Sequence, residues 1–476
     1  MLRDTAGSVV ADCAWPQASS HDAAVVVHRR RDSTRPEGAS LASIILLLLL
    51  AIPGLWRLGL DQVAWLIIGP AVGVYALRAQ PSRRLVASIA AFAVVMIVSG
   101  VLGATGERWL TLAREMAIVA VFFAVVLGTS ALRPSGDHLK ILLIGIAFVM
   151  TVSSAASLFA FATQSIFPFK TPIEGLVPDV ISSTRLGELT FTDRSLGTPS
   201  YFLGAIFVRA QGIFLFSTSQ AVAQAAAVPL FMAATWWYPS VRWGFIVASS
   251  LSALSLLATT TRVPIAALVI VLSAVFVLRS LRVANLNAAT LMNKRILGAI
   301  GLVFVALIGV ALVTGVAEAA ARLATTRSLG PRAELYGETL RRWSERPILG
   351  WGTEIDWLRD VPESGAEVEI SVDTREAAAD SPPLGSHSQY LGILFKQGAL
   401  GFVAFAAILV LLLAAARAVL SSRQFAIWLA VAAMITTLIS GVTESLWLDP
   451  AAAIIVAITW GIVLSLARSA TTEQVP

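Results

Sequence analysis

The chain has 476 residues, of which 57% are hydrophobic and only 13% charged, and its mean hydropathy is +0.79. These values exclude a soluble globular domain and define a membrane protein of many spans. The net charge of +6 rests almost wholly on arginine, with 31 Arg against 4 Lys, and the single cysteine, Cys13, excludes an internal disulfide and any Cys-based metal site.

Residues 1–39 are polar and end in "HRRRDSTRPEG", which reads as a disordered cytoplasmic tail ahead of the first anchor. Apolar runs long enough to cross the hydrocarbon as helices, about 17–25 residues, follow near 41–57, 62–78, 85–102, 111–130 and 140–162. A polar stretch at 163–200 comes next, then runs at 219–237, 241–258, 262–279 and 296–316. After a second, longer polar stretch the chain has runs at 388–413, 425–441 and 450–467. The fold class is therefore an all-α polytopic membrane protein of about twelve transmembrane helices. The run "YFLGAIFV" at 201–208 is too short to span and reads as an interfacial or re-entrant piece.

Short cytoplasmic loops are rich in Lys and Arg. With the N-terminus inside, the cytoplasmic connections are "RAQPSRR", "LRPSGDHLK", "PSVRW", "RSLRVANLNAATLMNKR" and "ARAVLSSRQ", all basic. Both termini are then cytoplasmic and both long polar stretches face outward. The second carries 13 acidic and 8 basic residues between Glu318 and Asp380, as a translocated segment tolerates, and is too long for a mere connector. The expected organisation is a tail at 1–39, a membrane domain at 40–317 with an outer loop at 163–200, a large extracytoplasmic loop at 318–386 between the ninth and tenth spans, C-terminal membrane helices at 387–467, and a cytoplasmic tail at 468–476.

This topology gathers three ionisable residues at the outer boundary: Arg209 before the sixth span, Arg262 at the start of the eighth, and His387 at the mouth of the tenth. Charges at membrane depth are expensive and tend to line polar cavities. Two guanidinium groups and an imidazole would suit an anion next to a titratable group. Each also has a plainer reading. An arginine at a helix boundary is often a snorkelling anchor, and His387, after "SPPLGS", is equally a cap residue facing water. Glu444 and Asp449 in "GVTESLWLDP" read either as tuning such a site or as a solvated turn.

Four patches carry a resemblance to a family. "HSQYLGILFKQGALGFVAF" (387–405), "RAQGIFLFSTSQAVA" (209–223), "TTTRVPIAAL" (259–268) and "RAELYGETLRRWSERPILGWG" (332–352) resemble, in order and spacing, motifs of the O-antigen ligase and polysaccharide polymerase (Wzy-type) superfamily. Ser217-Thr218 stand where the family usually has Pro-Asn, and Val263 where Gly commonly follows the arginine. Arg185 and Arg194 in the same outer loop are alternatives to Arg209.

The resemblance implies a GT-C-like membrane glycosyltransferase, without metal or cofactor, acting on the extracytoplasmic face of a bacterial plasma membrane. Its donor would be a glycan on undecaprenyl diphosphate and its acceptor a hydroxyl of a glycan or glycolipid. No nucleic-acid partner is implied. His387 would be the catalytic base and Arg209 and Arg262 the diphosphate ligands, with Arg332, Arg342 and Trp343 as further substrate contacts.

The chemistry agrees with these residue types. Arg offers fixed, permanently charged, bidentate donors to phosphate, and a neutral imidazole is suited to accept a hydroxyl proton. No Asp-x-Asp pair occurs in the chain. Trp343, Trp351 and Trp357 read as sugar platforms or as loop packing. The family spans two reactions, ligation of a finished polysaccharide and polymerisation of lipid-linked repeats. A lipid-linked oligosaccharide flippase is the competing class, and it would need an ionisable path across the spans. The spans are almost free of charge away from their ends, the exceptions being Arg114 and Glu115 in the fourth and the interfacial Lys396.

Overall fold

The computed structural model describes residues 36–77, 82–103, 108–132, 136–178, 193–202, 205–283, 329–352, 388–422, 424–447 and 449–472. Eleven of the twelve predicted spans are helices there: α1 (Pro36–Leu58), α2 (Asp61–Leu77), α3 (Arg83–Gly103), α4 (Arg108–Ala131), α5 (Asp137–Thr163), α6 (Ser217–Trp237), α7 (Arg242–Ala258), α8 (Arg262–Val283), α10 (Gln389–Val419), α11 (Phe425–Ser440) and α12 (Pro450–Thr472). The predicted ninth span, 296–316, lies outside the described residues. One more helix, α9 (Leu329–Glu345), falls within the large loop. Residues from Ala42 onwards form one unit, while of the unit Met1–Leu41 only the first residues of α1 are described.

Seven of the described helices are long and apolar enough to cross a membrane, and three shorter apolar ones accompany them. Large apolar side chains stand exposed around the bundle, Leu102 at 68% and Val403 at 64%, an arrangement that suits lipid and not water. Helix α6 departs from this pattern. It carries Gln220 and Gln224 in its apolar run, and protein, not lipid, surrounds it: nearly all of it is buried, and it packs against α7 and α11 with α12, α8 and α5 around them.

The side-chain Nε2 groups of its two glutamines donate to serines of the neighbouring helices. Gln220 Nε2 donates to Ser157 Oγ (2.9 Å) of α5 and Ser255 Oγ (2.7 Å) of α7, and Gln224 Nε2 donates to Ser154 Oγ (2.9 Å). Inside a bundle a carboxamide without partners is costly, so these bonds fix the rotation of α5, α6 and α7 against one another.

On the other flank α2 lies on α4 and α4 on α12. Backbones approach closely there: a Cβ at Gly128 would sit 2.4 Å from the Val72 carbonyl oxygen. Phe92, Phe122, Phe405, Trp447 and Trp460 interlock at centroid distances of 5.1–6.4 Å and join α3, α4, α10 and α12.

Among the described residues two departures from an all-α fold occur, both in the segment after α5. Strands β1 (Phe169–Lys170) and β2 (Asp193–Arg194) pair antiparallel, and so do β3 (Gly197–Phe202) and β4 (Ala205–Ala210). The run "YFLGAIFV" is strand at 201–202 and 205–208. It lies within a hairpin with Thr198 opposite Arg209, as its Tyr, Ile, Phe and Val content favours.

Helix ends alternate between two ends of the bundle. At one, Arg279 sits over Phe425 (4.7 Å), Lys140 bonds Ser240 and Arg468 bonds the Ser130 carbonyl. At the other lie the hairpin, the α7–α8 turn, the start of α10 and the α11–α12 turn. Lys140 and Arg279, from two of the basic connections, lie at the first end.

Candidate functional site: an arginine corner at one end of the bundle

Arg209 is the penultimate residue of strand β4, and its side chain crosses to the α7–α8 turn. Its Nε donates to the Thr259 carbonyl (2.8 Å) and an Nη donates to Thr261 Oγ1 (2.8 Å). Thr261 immediately precedes Arg262, the first residue of α8. The structure therefore brings the two predicted arginines to one corner.

Between the two threonines Thr260 holds φ +54°, a left-handed conformation uncommon for a β-branched residue. The "TTTR" patch is a strained turn that offers one carbonyl and one hydroxyl to a guanidinium. Arg262 stands at the positive end of the α8 dipole, where a cation is unfavourable and an anion favourable.

The rest of "RAQGIF" builds the support. Gln211 accepts a hydrogen bond from Thr198 Oγ1 and donates to the carbonyls of Phe214 (3.0 Å) and Leu215 (2.9 Å), which knots the turn between β4 and α6. Gly212 has φ +61°, and a Cβ there would lie 2.3 Å from Ser153 Oγ, the group that also accepts from the Ile213 amide.

A buried charge cluster underlies the hairpin. Arg194 is only 4% exposed and pairs with Asp61 at 2.5 Å, and Gln62 Nε2 donates to the same carboxylate (2.8 Å). Asp449, wholly buried, accepts from the amides of Leu215 (2.7 Å) and Ala451 (2.9 Å) and lies within Coulombic reach of both Asp61 and Arg194. Arg194 is thus engaged inside the protein and is not placed to serve instead of Arg209. Glu444 is 3% exposed, so the solvated-turn reading of Glu444 and Asp449 is overturned.

Burial pushes the Asp449 carboxyl up to about 6, against the pull of its two amide donors. The native state then holds this proton more tightly than the unfolded chain. Its contribution to stability is fully present below about pH 4 and is lost as pH rises through 6, at most about 3 kcal/mol. The thermal stability of Asp449→Asn in detergent, relative to the native chain, is expected to improve between pH 4.5 and 7. A difference that does not vary with pH would disprove this.

His387 and Trp357 lie outside the described residues. The residue after the histidine does not. Ser388 caps α10 by accepting from the Leu391 amide (3.4 Å), the Gln389 amide donates to the Gly441 carbonyl (2.9 Å), and Gln389 Oε1 accepts from the Leu446 amide (2.9 Å). Helix α10 therefore begins against the α11–α12 turn that carries Asp449, and Asp449 in turn holds Leu215. The start of α10 and the arginine corner share one end of the bundle.

The large-loop residues are placed on the α3–α10 flank. Arg332 lies in α9. Arg342 is mostly buried, with Nε donating to Glu338 (2.7 Å), and bonds to Arg341 and Arg342 hold Glu338 below the usual carboxylate range. Trp343 donates to the Pro347 carbonyl (3.1 Å), and Trp351 donates to the Arg342 carbonyl (2.9 Å) while stacking on Phe395. Both indole N–H groups thus serve loop packing.

Pro347–Gly352 docks where α10 is broken at Gly398 (φ 64°, ψ −166°). The amides of Trp351 and Gly352 donate to the Phe395 (2.9 Å) and Lys396 (2.7 Å) carbonyls, and those of Ala399 and Leu400 donate to the Pro347 (2.8 Å) and Ile348 (3.2 Å) carbonyls. Non-helical backbone at membrane depth is tolerated because these groups are paired within the protein. Lys396 also pairs with Glu115 of α4 at 2.5 Å, so two of the three charges within the spans neutralise each other.

Helices of this length and apolarity, with a polar loop structure gathered at one end, define a multi-pass membrane protein. Residues 247–406, roughly a third of the chain, match the family described as O-Antigen ligase, Wzy_C. The match includes Arg262 and the motifs from 332 to 405, and it bears out the O-antigen ligase-like resemblance. Among curated proteins none matches the chain.

The sequence did not single out Asp61 or Gln211. The signal for Asp61 was an acid opening an apolar helix, and for Gln211 a side chain able to donate and accept beside a glycine.

Proposed function

We propose that the protein is an extracytoplasmic-face glycosyltransferase of O-antigen ligase type, transferring a glycan from an undecaprenyl-diphosphate carrier to a hydroxyl acceptor in cell-surface polysaccharide biosynthesis, without a metal ion. The observation that carries this reading is the anchoring of Arg209 on Thr259 and Thr261, beside Arg262 at the start of α8. Two guanidinium groups and a helix N-terminus at one corner favour a polyanion over a neutral ligand.

In the reaction the acceptor oxygen attacks the anomeric carbon and the bond from that carbon to the phosphate oxygen breaks, leaving its electron pair on the diphosphate. Arg209 and Arg262 hold the charge that grows there. The hydroxyl proton passes to His387, whose neutral imidazole is matched to the task near neutral pH. Arg332, Arg342 and Trp343 lie further along the chain's route to His387 and contact the glycan or orient the loop. The Lys396–Glu115 pair takes two in-span charges away from any path across the bilayer, which favours glycosyl transfer over a flippase.

The test is a gene deletion complemented with the native chain or with His387→Ala, followed by sizing of the glycans left on the undecaprenyl carrier. Long polymer on the carrier in both the deletion and the His387→Ala strains is the expected result for a ligase, and single repeats for a polymerase using the same site. A normal profile with His387→Ala would overturn the assignment and leave the histidine with no part in the transfer.

A further inference from the structure

The Asp61–Arg194–Asp449 cluster is expensive. Burying ions costs several kcal/mol each, and apolar side chains often hold a fold as well or better. What this cluster does beyond packing is visible in its bonds. Arg194 fixes the chain entering the hairpin to the start of α2 through Asp61. Leu196, two residues on, accepts at its carbonyl the amides of Gln211 (3.2 Å) and Gly212 (2.9 Å) from the chain leaving the hairpin. That outgoing chain is then fixed to the start of α12 by the bond from the Leu215 amide to Asp449. Both legs of the hairpin are thus held at their base, and the hairpin's register puts Arg209 directly opposite Thr198, whose hydroxyl bonds Gln211.

We propose that Arg194, with Asp61 and Asp449, is a positioning residue. The cluster is a clamp that holds the β3–β4 hairpin so that Arg209 stands at the α7–α8 turn beside Arg262. The inference rests on the reading of Arg209 and Arg262 as ligands of the donor diphosphate. It assigns to three buried charges, none of which touches substrate, the aim of a fourth that does. A displacement of about 1 Å at a reacting group costs up to about a hundredfold in rate.

The test compares the native chain with Arg194→Met, Asp61→Asn, the double variant Arg194→Met/Asp61→Asn, and Asp449→Asn, all full length. Arg194→Met alone strands the Asp61 carboxylate and is expected to lower thermal stability in detergent. The double variant removes both charges and is expected to regain most of that stability. A merely structural cluster would then also regain activity.

For a clamp, glycan transfer by the double variant in the deletion strain stays at least about tenfold below the native chain. Amide exchange also speeds up over 196–216 while 217–258 stays protected. Recovery of transfer together with stability, or unchanged exchange over 196–216, would overturn the clamp. Should the double variant not accumulate, Asp449→Asn serves in its place, with faster exchange at Leu215 and slower transfer expected, and native values for both would refute the proposal. Arg209→Ala is run alongside: if it transfers glycan at the native rate, the reading of the arginine corner fails instead.

Discussion

Arg262→Ala is expected to lower glycan transfer by about 10²–10³-fold, the loss seen when one preorganised donor to a developing anion is removed, while thermal stability in detergent changes by no more than about 1 kcal/mol. The asymmetry follows from position. Arg262 opens α8 at the positive end of its dipole, where a cation costs roughly 0.3–1 kcal/mol, so the residue works against the helix that carries it. Arg262→Lys is expected to recover little, since an ammonium is a point charge where a guanidinium offers a planar fork.

Arg209→Ala should match Arg262→Ala in activity. Thr261→Val, which removes the hydroxyl acceptor but leaves the Thr259 carbonyl in place, should fall between them and the native chain. The measurement is the pool of carrier-linked glycan together with the thermal transition of the purified protein. An Arg262→Ala strain with a normal pool would sink the diphosphate-binding role, and a protein that unfolds several kcal/mol sooner would mark Arg262 as structural.

The second large effect is expected at Gly398. Its backbone angles belong to a region open essentially only to glycine, and a Cβ would lie 2.3 Å from the Ile348 carbonyl oxygen and 2.6 Å from the Gly350 nitrogen. Gly398→Ala has two ways to respond: it strains the break, at about 1–3 kcal/mol for the backbone alone, or it straightens α10. A straight helix would return the Ala399 and Leu400 amides to carbonyls within α10 and close the Phe395 and Lys396 carbonyls to Trp351 and Gly352.

Either way the Pro347–Gly352 segment comes loose. The expected result is faster amide exchange at Trp351 and Gly352, a lower thermal transition, and loss of transfer, because this segment precedes His387 along the chain. Native exchange at both residues in Gly398→Ala would refute the docking.

The helices of this protein were legible in its sequence, and the physical reason is local. A bilayer demands a run of apolar residues of set length, and eleven such runs became helices with ends within a few residues of the predicted ones, apart from an earlier start on α1 and longer C-terminal ends on α8, α10 and α12. Arg209 and Arg262 were legible for a related reason: a charge beside an apolar run is conspicuous.

What only the tertiary structure decided is non-local. The partner of Arg194 is Asp61, 133 positions away, and the partner of Asp449 is the Leu215 amide, 234 positions away. No period or spacing relates them, so a buried clamp looked like a spare loop arginine and an acid in a solvated turn. The same holds for Gly398, whose break makes sense only against Ile348 and Gly350, and for α6, whose polarity became explicable once Ser154, Ser157 and Ser255 stood around its glutamines. Hydropathy records what each segment must do with lipid, whereas the pairing of buried charges and backbone groups depends on which segments meet.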